Sequence, residues 1–166
     1  MPQSSYQQSA NLNEIQADDV LRIQQIWVSD VMSKSPLVIE ANEKIEVALG
    51  LMADNKIRHL PVIDQDENLQ GIISDRDLLK SFANLKPWVT QDRIEYGRSH
   101  HPVREFMTAT PEVITPDSSL LEAGSLMLEY KISCLPVVEG NKVVGIITES
   151  DFVKIICGEL SPISIS

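Results

Sequence analysis

The chain has 166 residues, 43% hydrophobic and 23% charged, a globular balance with length for one domain or two small ones sharing a core. Its 14 basic and 24 acidic residues leave a formal charge of −10, which repels a phosphate backbone. Aromatics at 5% leave little surface for stacking bases, so no nucleic-acid binding is expected, although a local basic pocket can still hold a small anion.

Residues 1–26 read as a polar arm, with Val20, Leu21, Ile23 and Ile26 hinting at a short helix near its end. The arm has no basic stretch followed by an apolar one, so it is not expected to be a secretory signal. At Val28 the stretch VSDVMSKSPLVIE begins a pattern that returns at Val103 as VREFMTATPEVIT. A spacing of 75 residues pairs Met32 with Met107, Pro36 with Pro111, Ala48 with Ala123 and Met52 with Met127. It also pairs Leu60-Pro61-Val62 with Leu135-Pro136-Val137. After a one-residue slip in the polar stretch 64–68, Gly71-Ile72-Ile73 matches Gly145-Ile146-Ile147 and Asp77 matches Asp151. Such an internal repeat is the first thing a fold must satisfy.

Each copy predicts the same elements in the same order. A short start (28–32; 103–107) precedes a Pro-marked break and a short strand (37–40; 112–115). A helix follows, with Ile45, Ala48, Leu49 and Met52 at helical spacing in the first copy. Leu120, Leu121, Ala123, Gly124 and Met127 do likewise in the second. Asn42 is the expected N-cap of the first helix, and Asp117 or Ser118 of the second. Strands 60–64 and 69–74 then form a hairpin, as do 135–138 and 143–148, and a last helix starts at Asp75 or Glu149. The turns fall at Asp66-Glu67-Asn68 and Glu139-Gly140-Asn141.

The expected fold is therefore α/β (α+β): two pseudo-symmetric β-α-β-β-α units packed sheet to sheet, since one unit is too small to bury its own faces. The expected organisation is an arm (1–26), a repeat (27–82), a connection (83–102), a second repeat (103–158) and a tail (159–166). The connection holds Trp88, Tyr96, His100 and His101. The adjacent histidines have no Cys or carboxylate at ligand spacing, so no metal is expected. Cys134 and Cys157 exclude a disulfide scaffold, Cys134 reads as a small core residue, and a cytoplasmic location is expected. No apolar run reaches the ~18–20 residues of a membrane span.

The stretches RHLPVID and GIISDRD (58–64, 71–77), echoed by SCLPVVE and GIITESD (133–139, 145–151), resemble a tandem pair of cystathionine-β-synthase (CBS) domains over about residues 27–157. A stand-alone pair, with no further domain attached, is the expectation. The resemblance implies two pseudo-symmetric clefts between the repeats for adenosine ligands: AMP, ADP, ATP or S-adenosylmethionine, with Mg²⁺ accompanying ATP as an open option. It also implies a homodimer, a regulatory role toward another protein, no tightly bound cofactor and no catalysis. The alternative is a dimerisation or protein-interaction module with vestigial clefts.

The chemistry of such clefts can be stated separately. A carboxylate can accept from both vicinal hydroxyls of ribose, as Asp77 and Asp151 at the start of a helix are placed to do. They can equally cap those helices, just as Ser74 and Thr148 can contact ligand or merely end strands. Arg58, His59 and Arg76 are suited to phosphate. By resemblance, the main cleft combines Arg58, His59, Ser74, Arg76 and Asp77 with Thr110, Pro111 and Val113 of the other repeat. Arg58-His59 falls where regulatory subunits of the AMP-activated protein kinase carry phosphate-binding His-Arg residues, in reversed order here. The second cleft combines Ser35, Pro36 and Val38 with Ser133, Thr148 and Asp151. It is expected to be weaker for polyphosphates, because Ser133 and Ser150 stand where the first copy has arginines.

Overall fold

The computed structural model describes residues 26–83 and 101–159. The expectations for the arm before Ile26, for Trp88, Tyr96 and His100, and for most of the tail lie outside the described residues.

The elements run α1 (Val28–Val31), β1 (Ser33–Lys34), β2 (Ile39–Glu40), α2 (Ile45–Asn55), β3 (His59–Ile63), β4 (Leu69–Ser74) and α3 (Asp75–Ala83). A 3-10 turn (Val103–Glu105) precedes β5 (Thr108–Ala109), α4 (Leu120–Tyr130), β6 (Cys134–Glu139), β7 (Lys142–Thr148) and α5 (Glu149–Ile156). The helical spacing works as read: α2 buries Ile45, Ala48 and Met52, and α4 buries Leu120, Ala123 and Met127. Both helices end on a left-handed lysine, Lys56 and Lys131.

The caps differ from expectation. Ser119 caps α4, its hydroxyl accepting from Glu122 N at 3.1 Å, whereas Asp117 accepts from Thr115 Oγ1 at 2.5 Å in the preceding turn. Asn42 lies ahead of α2 and accepts from Arg104, so Lys44 takes the cap position without a side-chain bond. The first predicted strand of each copy is also shorter than expected. Only Ile39–Glu40 pairs in the first copy, and in the second only Ile114 bridges, to Val137.

Two sheets result, ordered β2-β3-β4-β5 and β1-β7-β6. Their membership crosses the sequence repeat. The strand β1, from the first copy, pairs antiparallel with β7 of the second, and β5 pairs with β4 of the first. The hydrophobic cores are exchanged likewise. Ile26, Val28 and Val31 pack with Leu120, Leu135 and Ile147, while Val103 packs with Ile45, Leu60 and Ile73. Backbone bonds fix both crossings: Val28 N donates to Ser118 O (2.9 Å), and Val103 N to Glu43 O (2.7 Å). The packing half and the sequence repeat thus do not coincide.

Glycine makes the exchange possible. A Cβ on Gly71 would sit 2.7 Å from both Met107 Sδ and Thr108 O, and one on Gly145 would meet Met32. The repeated Met and Gly of the two copies are therefore contact partners across the exchange. The hairpins β3-β4 and β6-β7 meet at both ends. At the turns Leu69 N donates to Asn141 O at 2.8 Å, and at the far end His59 Nε2 lies 3.3 Å from Ser133 Oγ. That far end is where the site forms.

Candidate functional site

A cavity of about 430 Å³ opens between the halves at the start of β3 and the end of β7. From the first half come Pro36 and Leu37 of the leading segment, Lys56 to His59, and Asp75 and Arg76 at the start of α3. The second half contributes Ser133, Ile146, Thr148, and Glu149 to Asp151 with Lys154 on α5.

The local chain order explains each position. The strand β7 ends at Thr148, and the chain turns at once into α5. Asp151, in the first turn, accepts through Oδ2 from Thr148 N (2.9 Å) and Thr148 Oγ1 (3.0 Å). Its Oδ1 accepts from Lys154 Nζ at 2.9 Å. Asp151 is 3% exposed, the buried charged residue among those described. Its counterpart repeats the cap: Asp77 Oδ2 accepts from Ser74 N (3.1 Å) and Ser74 Oγ (2.6 Å). Both aspartates therefore complete helix caps, each through Oδ2.

Arg58 and Arg76 are brought together by the backbone, since Asp75 N donates to Arg58 O at 3.0 Å. Both side chains are exposed at the cavity. Burial pushes the His59 imidazole below its ordinary pKa, against the opposing pull of Asp75 and Asp77. Its ring is therefore neutral near pH 7 and shares a hydrogen bond with Ser133 across the junction. Ser35 and Thr110, at φ 49° and 47°, are left-handed turn residues, and the turn at Ser35 directs Pro36 and Leu37 into the cavity.

The structure sorts the site residues differently from the sequence expectation. It brings Arg58, His59 and Arg76 together with Pro36, Ser133, Thr148 and Asp151 in one cavity. Ser74, Asp77, Thr110, Pro111 and Val113, expected beside those cations, do not line it, and neither do Ser35 and Val38. The physical reason is the face-to-face hairpins, which project the groups at the start of β3 across the junction toward the end of β7. The cations of one copy thus line the same cavity as the aspartate of the other. Sequence reading did not place Lys56, Ile57, Asp75, Ile146 and Lys154 at the site. Lys56-Ile57 recurs as Lys131-Ile132 at the same 75-residue spacing, and Lys154 lies three residues beyond Asp151.

A second cavity, of about 420 Å³, lies by the first hairpin's turn among Glu40, Asn42, Asp64, Asp66 and Gln70. Asp64 there anchors the turn, accepting from Asn68 N (2.8 Å) and Asp66 N (2.9 Å). Those bonds, with Asn68 foremost, hold its carboxyl below the usual range. Among the described residues no group of His, Cys, Asp and Glu is arranged to hold a metal, and no helix is long and apolar enough to cross a membrane. His101 pairs at 2.7 Å with Glu105, a carboxylate four residues on that the sequence reading did not count.

Two exchanged α/β repeats with one cation-lined cavity between them define a tandem module of the CBS type. The CBS domain family profile matches residues 28–84 and 103–158, and the chain belongs to that family. A CBS domain-containing protein of Dictyostelium discoideum is 36% identical over 140 residues, covering 83% of this chain and 96% of its own. The solved CBS pair of protein MJ0100, in complex with 5′-methylthioadenosine and S-adenosyl-L-methionine, is 29% identical, with a TM-score of 0.67 over 80% of this chain and 97% of that one. The structure of CBSX2 in complex with AMP is 32% identical, with a TM-score of 0.66 over 81% and 98%. Some curated relatives are far longer. The chain spans 24% of a homoserine O-acetyltransferase from Methanosalsum zhilinae and 26% of an inosine-5′-monophosphate dehydrogenase from Aquifex aeolicus.

Proposed function

We propose that the protein is a regulatory sensor that binds an adenosine nucleotide in the cavity between its halves, without catalysis of its own. The observation that carries this reading is the meeting of Arg58 and Arg76 from one half with Asp151 and Thr148 from the other in one cavity. Its size falls in the ~300–1,000 Å³ range of small-molecule sites. Pro36, Leu37, Ile57 and Ile146 offer apolar surface to a purine ring, Asp151 Oδ1 an acceptor for ribose, and the arginines two-pronged donors for phosphate. The AMP bound to CBSX2 and the adenosine compounds bound to the MJ0100 pair support an adenosine ligand here. Lys56, Arg58, Arg76 and Lys154 outnumber Asp75, Glu149 and Asp151 around the cavity. That balance favours AMP, ADP or ATP over the sulfonium of S-adenosylmethionine.

A ligand that touches both halves changes their relative arrangement only if it binds one arrangement better than another. That is how occupancy would pass to a regulated protein. Non-catalysis is supported by the likeness to solved CBS pairs that hold AMP or S-adenosyl-L-methionine. Leu128 and Ile156, 82% and 85% exposed, support self-association into a homodimer, which light scattering tests.

The test of the ligand is thermal unfolding with AMP, ADP, ATP and S-adenosylmethionine, with and without Mg²⁺. Saturation at 100 times Kd adds about 2.7 kcal/mol to stability. A rise with AMP that is lost in Arg58→Gln supports the reading. No rise with any ligand at millimolar concentration would overturn it in favour of a protein-interaction module.

A further inference from the structure

The two oxygens of Asp151 are not equivalent. Oδ2 is committed to the fold, taking both the amide and the hydroxyl of Thr148. Oδ1 is the oxygen left for a ligand, and Lys154 Nζ sits on it at 2.9 Å. The Asp151 side chain is 5% exposed and fixed, whereas that of Lys154 is 45% exposed, on a flexible stem with three donors. Both residues line the cavity that holds Arg58 and Arg76.

We propose that Lys154 sets the selectivity of this cavity for phosphorylated over uncharged ribosides by holding one of the two acceptor positions on the carboxylate oxygen that ribose must use. The proposal rests on the reading of the cavity as an adenosine site. The vicinal hydroxyls of an uncharged riboside need both positions of Oδ1, so they compete with the ammonium for one of them and offer it nothing in exchange. A phosphorylated riboside brings a doubly charged group within reach of the lysine stem, so the ammonium leaves Asp151 for the phosphate. The ribose then takes the vacated position. One lysine thus penalises the wrong ligand and rewards the right one, a pairing of repulsive and attractive elements that specificity generally needs.

The experiment is titration calorimetry of adenosine and AMP on the wild-type chain, Lys154→Met and Lys154→Arg. Methionine keeps the length of the stem without its charge. The expected result is opposite shifts in Lys154→Met: adenosine binds several-fold tighter and AMP several-fold weaker. Lys154→Arg, which retains the cation, keeps the preference for AMP. Parallel weakening of both ligands in Lys154→Met, as a merely structural lysine would give, overturns the proposal, as does no change in either. In those two cases wild-type binding of AMP leaves the adenosine-site reading standing. Failure of the wild-type chain to bind AMP or adenosine overturns both.

Discussion

His59 Nε2 and Ser133 Oγ, from opposite copies of the repeat, lie 3.3 Å apart at the mouth of the cavity. The contact joins the two hairpins where Arg58, Arg76 and Asp151 line one cavity, and it is made by a ring that burial keeps neutral. Asp75 and Asp77 pull toward the charged form, and Arg76 and Arg58 push away from it, but burial outweighs them. Near and below the ordinary imidazole pKa of about 6.5, the unfolded chain takes up a proton that the folded His59 resists. His59 therefore contributes no acid penalty above that pH and a growing one as pH falls through it. The melting midpoint is expected to drop between about pH 7.5 and 5.5, and His59→Gln to flatten that slope. Asp64 and Asp117, whose carboxyls are held below their usual range, titrate below this window. An equal slope in both proteins would assign the pH dependence elsewhere.

The glycines at the exchange make a second, graded prediction. A Cβ at Gly71 lies 2.7 Å from the Thr108 carbonyl, a backbone atom held in the β4-β5 pairing. At Gly145 the foremost obstacle is the Met32 side chain, with Ser33 O at 3.3 Å. Gly71→Ala is expected to cost about 1–3 kcal/mol, the usual range for overpacking, and Met107→Ala to leave most of that cost in place. Gly145→Ala is expected to be relieved in large part by Met32→Ala. Denaturant titration of the singles and doubles separates the two cases.

The exchange also governs how the chain comes apart. Each core contains residues from the leading segment of the other copy, so residues 27–83 alone would leave Leu60 and Ile73 without Val103. Fragments cut within 84–100 are expected to show little ordered structure alone by circular dichroism and to recover it on mixing. Full structure in either fragment by itself would contradict the cores as described.

The repeat, the helices and the hairpins were legible because apolar spacing and turn chemistry are local. Gly71 and Met107 were both marked by the repeat, yet nothing local says that they touch. The two-residue strands β1 and β5 carry too few residues to show an alternation, and their pairing is decided by the partner hairpin. The site suffered for the same reason. Its residue types were visible in Arg58, His59, Arg76 and Asp151, but assigning the cations to a cleft requires knowing which hairpin ends face each other. Asn42 had the chemistry of a cap, and a tertiary partner, Arg104, took it instead.

Cys134 and Cys157 should differ sharply in reactivity. Cys134 is buried on β6, and desolvation, with Asp151 nearby, pushes its thiol far up, so thiolate is scarce. Cys157 is exposed just after α5. In the native protein a disulfide reagent is expected to modify one thiol quickly and the second only as the chain unfolds. Rapid modification of Cys134 would show that β6 opens locally, contrary to its packing.

The paired aspartates give the sharpest comparison, because the two caps are nearly alike and only their surroundings differ. Thr148 and Asp151 line the cavity with Arg58 and Arg76, whereas Ser74 and Asp77 do not. Asparagine in place of either aspartate keeps an oxygen for the cap and removes the charge that strengthens a bond to ribose. A hydrogen bond to a charged group contributes about 1.5–3 kcal/mol, so Asp151→Asn is expected to weaken AMP binding roughly 10- to 100-fold. Asp77→Asn, with a matching loss of cap strength, is expected to weaken AMP binding far less, since Asp77 does not line the cavity. Calorimetric titration of both variants beside the wild type checks this. Equal losses would mean that both clefts take the nucleotide and that the cations do not distinguish them.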